Sequence, residues 1–205
     1  LTPGPFDIMA HLDAAANELL AWNRWKVGWL KDEEVVCVDT LAQRRTISVA
    51  PVASTQSGTK AVVFPQDIYS AIVVESRQAI GSDQRLLSDE TGLLVYMVDS
   101  RFGSGDGPIR IIPRANIYTN VAWVAGLPDK VRHRKAALQP GDRIKVGDLT
   151  LENVGKPGAD KLLVFRGPDT RQAVVFSSQL KSAYPLSLKS IPVLIKSTSD
   201  APILL

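Results

Sequence analysis

From residue 31 onward the chain alternates apolar and polar positions with the two-residue period of half-buried strands. Residues 34–39 read as a strand. So do 45–52, where Ile47, Val49 and Pro51 alternate with Ser48 and Ala50. Segments 60–64 and 68–75 are rich in β-branched residues, which fit a pleated, half-buried surface. Ser57-Gly58 and Pro65-Gln66-Asp67 supply turns beside them. Residues 93–98 form a nearly continuous apolar run of strand length, which predicts a central place in a sheet. A glycine-rich loop at 102–108 leads to a short strand at 109–112. A second series follows the turn at 139–142, with strands at 143–146, 149–154, 161–166 and 172–177. Gly147-Asp148, Gly155-Lys156-Pro157-Gly158 and Gly167-Pro168-Asp169 separate them. Short strands at this spacing predict a mainly β protein built of antiparallel, sandwich-like sheets. Residues 117–138 carry little periodicity, and 185–205 read as an extended tail.

The first 30 residues have a helical period instead. Leu19, Trp22, Trp25 and Trp29 recur three and four positions apart, which places them on one side of a helix. Asp13 is the expected N-cap, Ala14, Ala15 and Ala16 favour helix, and Gly28 is placed to end it. This N-terminal helix holds three of the four tryptophans on one face, so a large covering surface is expected from outside its own turns.

Length allows one large or two small domains. The pattern divides the chain into 1–30, the β-rich segment 31–138, a smaller hairpin segment 139–180, and the tail 181–205. A net charge of +3 is too small to indicate nucleic acid as a partner. No run approaches the ~18 apolar residues of a membrane-spanning helix. The single cysteine, Cys37, excludes an internal disulfide. Its apolar neighbours Val35, Val36 and Val38 predict an inert, buried thiol.

Several side-chain groups invite a chemical reading. His11 and Asp13 are too few to hold zinc, which needs about three or four ligands, and they also read as a surface histidine beside a helix cap. Glu75 and Arg77 share one face of a strand, either as an ion pair across the sheet or at the border of a cleft. Asp83, Asp89, Glu90, Asp99 and Asp106 are oxygen donors near loops and candidates for structural calcium, although no EF-hand spacing is present. The basic stretch at 130–135 reads as a polyanion site or a solvated loop. No Gly-x-Ser-x-Gly elbow occurs. Gly103-Ser104-Gly105-Asp106-Gly107 does not open a helix, as a phosphate loop would.

Two stretches carry a family resemblance. Gly4-Pro5-Phe6-Asp7-Ile8-Met9-Ala10, followed by Trp22-Asn23-Arg24-Trp25-Lys26-Val27-Gly28-Trp29-Leu30, resembles the end of the catalytic domain in secreted zinc metallopeptidases of the immune inhibitor A type. The run Val73-Val74-Glu75-Ser76-Arg77-Gln78, then Gly81-Ser82-Asp83, then Gly92-Leu93-Leu94-Val95-Tyr96-Met97-Val98-Asp99, is similar to the series that follows in that family. The resemblance covers about residues 4–112, and more loosely extends to 166. It implies that Asp7, Ile8 and Met9 form the Met-turn that passes beneath the zinc, a turn that shapes the floor without binding the metal. It also implies a secreted protein that hydrolyses peptide bonds in protein or peptide substrates.

The family's zinc-binding His-Glu-x-x-His helix lies upstream of the Met-turn. Here Met9 is eight residues from Leu1, and the only histidines are His11 and His133. The expectation is therefore that zinc belongs to an upstream half or a second polypeptide packed against Leu19, Trp22, Trp25 and Trp29. No catalytic or metal-ligating residue is assigned to this chain. The alternative is a non-catalytic secreted surface or assembly subunit derived from a peptidase fold.

Overall fold

A computed structural model describes residues 6–9, 18–103, 105–114 and 135–167. His11, Asp13, Ala14–Ala16, His133, the basic stretch before Lys135, the expected strand at 172–177 and the tail all lie outside these residues.

The protein is mainly β, with two sheets and one short α-helix among the described residues. The five-stranded sheet has the order β1-β3-β4-β5-β6, made of Val35–Cys37, Ala61–Pro65, Ser70–Arg77, Gly92–Asp99 and Ile109–Ile112. The four-stranded sheet has the order β2-β9-β8-β7, made of Arg45–Ser48, Lys161–Arg166, Leu149–Asn153 and Arg143–Val146. Strand β2 comes from the 31–138 stretch, and its partner β9 from the 139–180 stretch, so the two stretches share a sheet. Between these strands all pairings are antiparallel except one: β1 runs parallel to β3, from Val35↔Ala61 to Cys37↔Val63.

Strands β4 and β5 pair along their full length, from Ser70↔Asp99 to Arg77↔Gly92. Every residue of β4 is buried, because both faces of the five-stranded sheet are covered. Ala71, Val73, Leu94, Tyr96 and Ile111 point into a core shared with Phe6, Leu20, Ala21 and Trp22. Val62, Phe64, Ile72, Val74, Leu93 and Val95 point into a second core, shared with Ile47, Leu149, Leu151, Leu162 and Val164 of the four-stranded sheet. An antiparallel bridge beside Gly92 joins Leu93 of β5 to Leu138, in the segment ahead of β7. Gly92 has φ +127°, and a side-chain carbon there would run into the Leu138 carbonyl.

The helix is shorter than its sequence predicts. Residues 18–20 are not helical, and α1 spans Ala21–Lys26. Only Trp22 and Trp25 of the four expected face residues belong to it. Their rings meet edge-on at 5.6 Å, with 74° between the planes. Leu19 precedes the helix and is half-buried. Trp29 follows it and is 65% exposed. For Trp29 the cause is the C-terminal turn. Gly28 takes φ +77°, the Gly28 N–H donates to the Trp25 carbonyl at 3.0 Å, and the Trp29 N–H donates to the Arg24 carbonyl at 2.8 Å. This double closure reverses the chain at a left-handed glycine and carries Trp29 off the helical face.

Cys37 is likewise not in the core; it is exposed. Strand β1 is a three-residue edge strand, so its side chains are only partly covered.

Candidate functional site

The strongest concentration of unusual chemistry lies where β4 passes beneath α1. Alternation along β4 sends Glu75 and Arg77 to the helix side and Ser76 to the other side. Glu75 and Arg77 are both fully buried, and an Arg77 Nη1 donates to Glu75 Oε1 at 3.0 Å. The other side of the guanidinium fork reaches Asp83, also fully buried, with Nη2 to Oδ1 at 2.8 Å and Nε to Oδ2 at 2.8 Å. Asp83 sits on the 3-10 turn Gly81–Asp83, which follows the end of β4 after residues 78–80. One cation thus stands between two carboxylates in the buried interior.

The second oxygen of Glu75 faces the helix. Glu75 Oε2 accepts the Ala21 N–H at 2.6 Å and the Tyr96 hydroxyl at 2.7 Å. The Tyr96 oxygen in turn accepts the Trp22 N–H at 3.1 Å. The N-cap residue Leu20 has no polar side chain, so the sheet supplies the capping groups that the local sequence lacks.

The turn Phe6–Met9 is joined to the same helix start. Asp7 Oδ2 accepts the Asn23 side-chain amide at 2.7 Å and the Leu20 N–H at 3.4 Å, while Oδ1 accepts the Met9 N–H at 2.8 Å. Phe6 and Asp7 are buried, Ile8 is half-buried and Met9 is 81% exposed.

Burial pushes the carboxyls of Glu75 and Asp83 above their ordinary range, against the opposing pull of Arg77. Burial also works against the Arg77 charge, but Glu75 and Asp83 outweigh it and hold the guanidinium above its usual range. The Tyr96 phenol is driven well upward, first by burial and then by the Glu75 charge. With folded-state values above unfolded ones, the native protein binds more protons than the unfolded chain just above the ordinary carboxylate range. The contribution of Glu75 and Asp83 is then fully present below their unfolded pKa values and is lost as pH rises through the raised ones. Urea-unfolding free energies should therefore fall with rising pH in that window, and Glu75→Gln should flatten the slope. Stability that climbs with pH across the same window would contradict this assignment.

On the opposite face of β4 lies a second buried polar group that the sequence did not announce. Asp160 accepts the Ser76 hydroxyl at 2.6 Å, the Gln78 side-chain amide at 2.7 Å and the Asn153 side-chain amide at 2.8 Å. It fastens the two sheets to each other. Asp160 directly precedes β9 and follows no periodic signal that singles it out.

Most of the loop carboxylates with calcium-like chemistry already have partners. Asp83 pairs with Arg77, Asp89 with Lys135 at 2.6 Å, and Asp99 with Arg101 at 2.6 Å, and Glu90 accepts the Leu87 N–H at 2.9 Å. Asp106 is exposed in its loop. Among the described residues, no group of three or more His, Cys, Asp or Glu side chains is placed to hold a metal ion. Lys60 is buried with its ammonium donating to the carbonyls of Pro51 and Ser54 and to the Ser54 hydroxyl, and burial pushes its pKa down. The Cys37 thiol is held upward by partial desolvation and by Asp32 and Asp39, the reverse of an activated nucleophile. No helix of the described residues is long and apolar enough to cross a membrane.

No family model, curated protein or solved structure matches the chain.

Proposed function

We propose that this chain is the Met-turn and β-rich stabilising portion of a secreted zinc metallopeptidase, whose metal ligands lie on another segment or polypeptide. The observation that carries the reading is the two-sided construction of the Phe6–Met9 turn. Its first half is sunk in the core and fastened by Asp7, while Met9 projects outward at 81% exposure. A turn built this way offers its methionine to a surface that the described residues do not supply. Val27 and Trp29 are exposed on the same N-terminal unit, which fits a partner surface there. In the whole protein the zinc would supply an activated water for attack on the peptide carbonyl. This chain's part is to hold the floor in place and to stabilise the catalytic half.

The same exposed residues suit the rival reading, a non-catalytic subunit that docks on an unrelated partner. The complete gene product separates the two. If it carries a His-Glu-x-x-His helix ahead of Met9, it is expected to contain zinc and to hydrolyse casein until a chelator is added. A complete product with no such helix and no chelator-sensitive hydrolysis leaves the docking subunit as the function.

A further inference from the structure

We propose that the buried Glu75–Arg77–Asp83 cluster is the positioning element for the Phe6–Met9 turn, and that it acts through the start of α1; its bearing on peptide hydrolysis rests on the reading above. The geometry forms an unbroken series. Three successive amides at the helix start are divided between turn and sheet. Leu20 N–H goes to Asp7 of the turn, Ala21 N–H to Glu75 of β4, and Trp22 N–H to Tyr96 of β5. Asp7 also holds the Met9 N–H and the Asn23 side chain. Asp83 takes the Glu18 N–H at 3.1 Å, so the cluster fixes the approach to the helix as well as its first turn. The Arg77 guanidinium lies 5.9 Å from the ring of buried Phe6, which brings the cluster to the turn by a second route.

Nothing local can replace this anchorage. A helix of six residues is too short to persist without tertiary support, and its own N-cap is apolar. Glu75 and Tyr96 hold the first turn of α1 on the sheet, beside the core packing of Leu20, Ala21 and Trp22, while Arg24 Nη1 donates to the Val52 carbonyl at 2.9 Å further along. Because Asp7 is bonded to α1, the place of Met9 follows. Glu75 makes none of its hydrogen bonds with the turn itself, yet it governs where Met9 stands.

The chain contains two methionines, which makes the test direct. Met9 reports on the turn; Met97 lies on β5 and packs into the core on the opposite face of the sheet. With methyl-13C methionine incorporated into the 205-residue chain, Glu75→Gln is expected to move the Met9 signal while Met97 stays in place. It is also expected to speed exchange of the Met9 amide by about tenfold, since local opening sets that rate. Asp7→Asn, which touches the turn directly, should move Met9 in the same way. A Met9 signal and exchange rate untouched by Glu75→Gln would overturn the proposal. If that variant unfolds, with both methyl signals collapsing together, Asp83→Asn is read by the same criterion. In the complete gene product, Glu75→Gln should lower kcat with KM unchanged. A complete product that is no peptidase would remove the functional reading and leave the Met9 result standing.

Discussion

Replacing Arg77 with methionine is expected to cost about 3–5 kcal/mol of folding stability, the range found when one partner is removed from a buried ion pair. The reason is the imbalance it leaves. Glu75 and Asp83 would remain fully buried with no cation between them. Arg77→Lys should recover only part of the loss, because a single ammonium cannot reproduce the fork that spans both carboxylates. Replacing all three residues with apolar ones of similar volume should cost less than Arg77→Met alone, since it removes the charges along with their partner. It would still orphan the Ala21 N–H, an unsatisfied donor worth roughly 1–3 kcal/mol. Urea unfolding of the three variants checks this order. A loss below about 1 kcal/mol for Arg77→Met would mean that water reaches the cluster and that the pair behaves as a surface salt bridge.

Trp22→Ala should lose about 3–5 kcal/mol, while Trp29→Ala should stay within ~0.5 kcal/mol of the parent. The two residues read alike in the sequence, and periodicity placed them on one face. In the fold, Trp22 is 8% exposed and packs with Leu20 and Tyr96, whereas Trp29 stands past the Gly28 reversal. Trp25 should fall between them; it is partly buried, and its indole N–H donates to Asp32 at 2.8 Å. Thermal or urea melts of the isolated chain decide the matter. Equal losses at Trp22 and Trp29 would show that Trp29 is covered.

The strands were legible because their signal is local. Alternation in 45–48 and 143–146, the β-branched residues in 60–64 and the apolar run in 93–98 are enough to declare pleated backbone wherever the partner lies. The pairing was not legible. Nothing in Arg45–Ser48 names Lys161–Arg166 as its neighbour, and nothing in Val35–Cys37 announces a parallel partner. The helix was over-read for a related reason. Spacing alone puts Leu19 and Trp29 on the Trp22 face, but spacing does not register a glycine that turns the chain or a cap supplied from a distant strand. Of the polar site, Glu75 and Arg77 stood out as two charges on one strand face, and Asp83 was noticed only as an oxygen donor. Tyr96 and Asp160 became significant only when the sheets brought them to Glu75 and Ser76.

The pairing of β2 with β9 also sets an order of events on the ribosome. Once Ile112 has emerged, every strand of the five-stranded sheet exists, but one of its apolar faces has no cover. That cover comes from β7, β8 and β9, and β2 stays a strand without a neighbour until the segment Lys161–Arg166 is made. The remaining stretch is about 50 residues, which takes several seconds at ~5–20 residues per second. During that interval Val62, Phe64, Ile72, Val74 and Val95 form a sticky surface on an otherwise finished sheet. The nascent chain is therefore most in need of a chaperone while residues 113–166 are being made, and that need ends once Lys161–Arg166 has followed Asp160, which clasps Ser76 and Gln78.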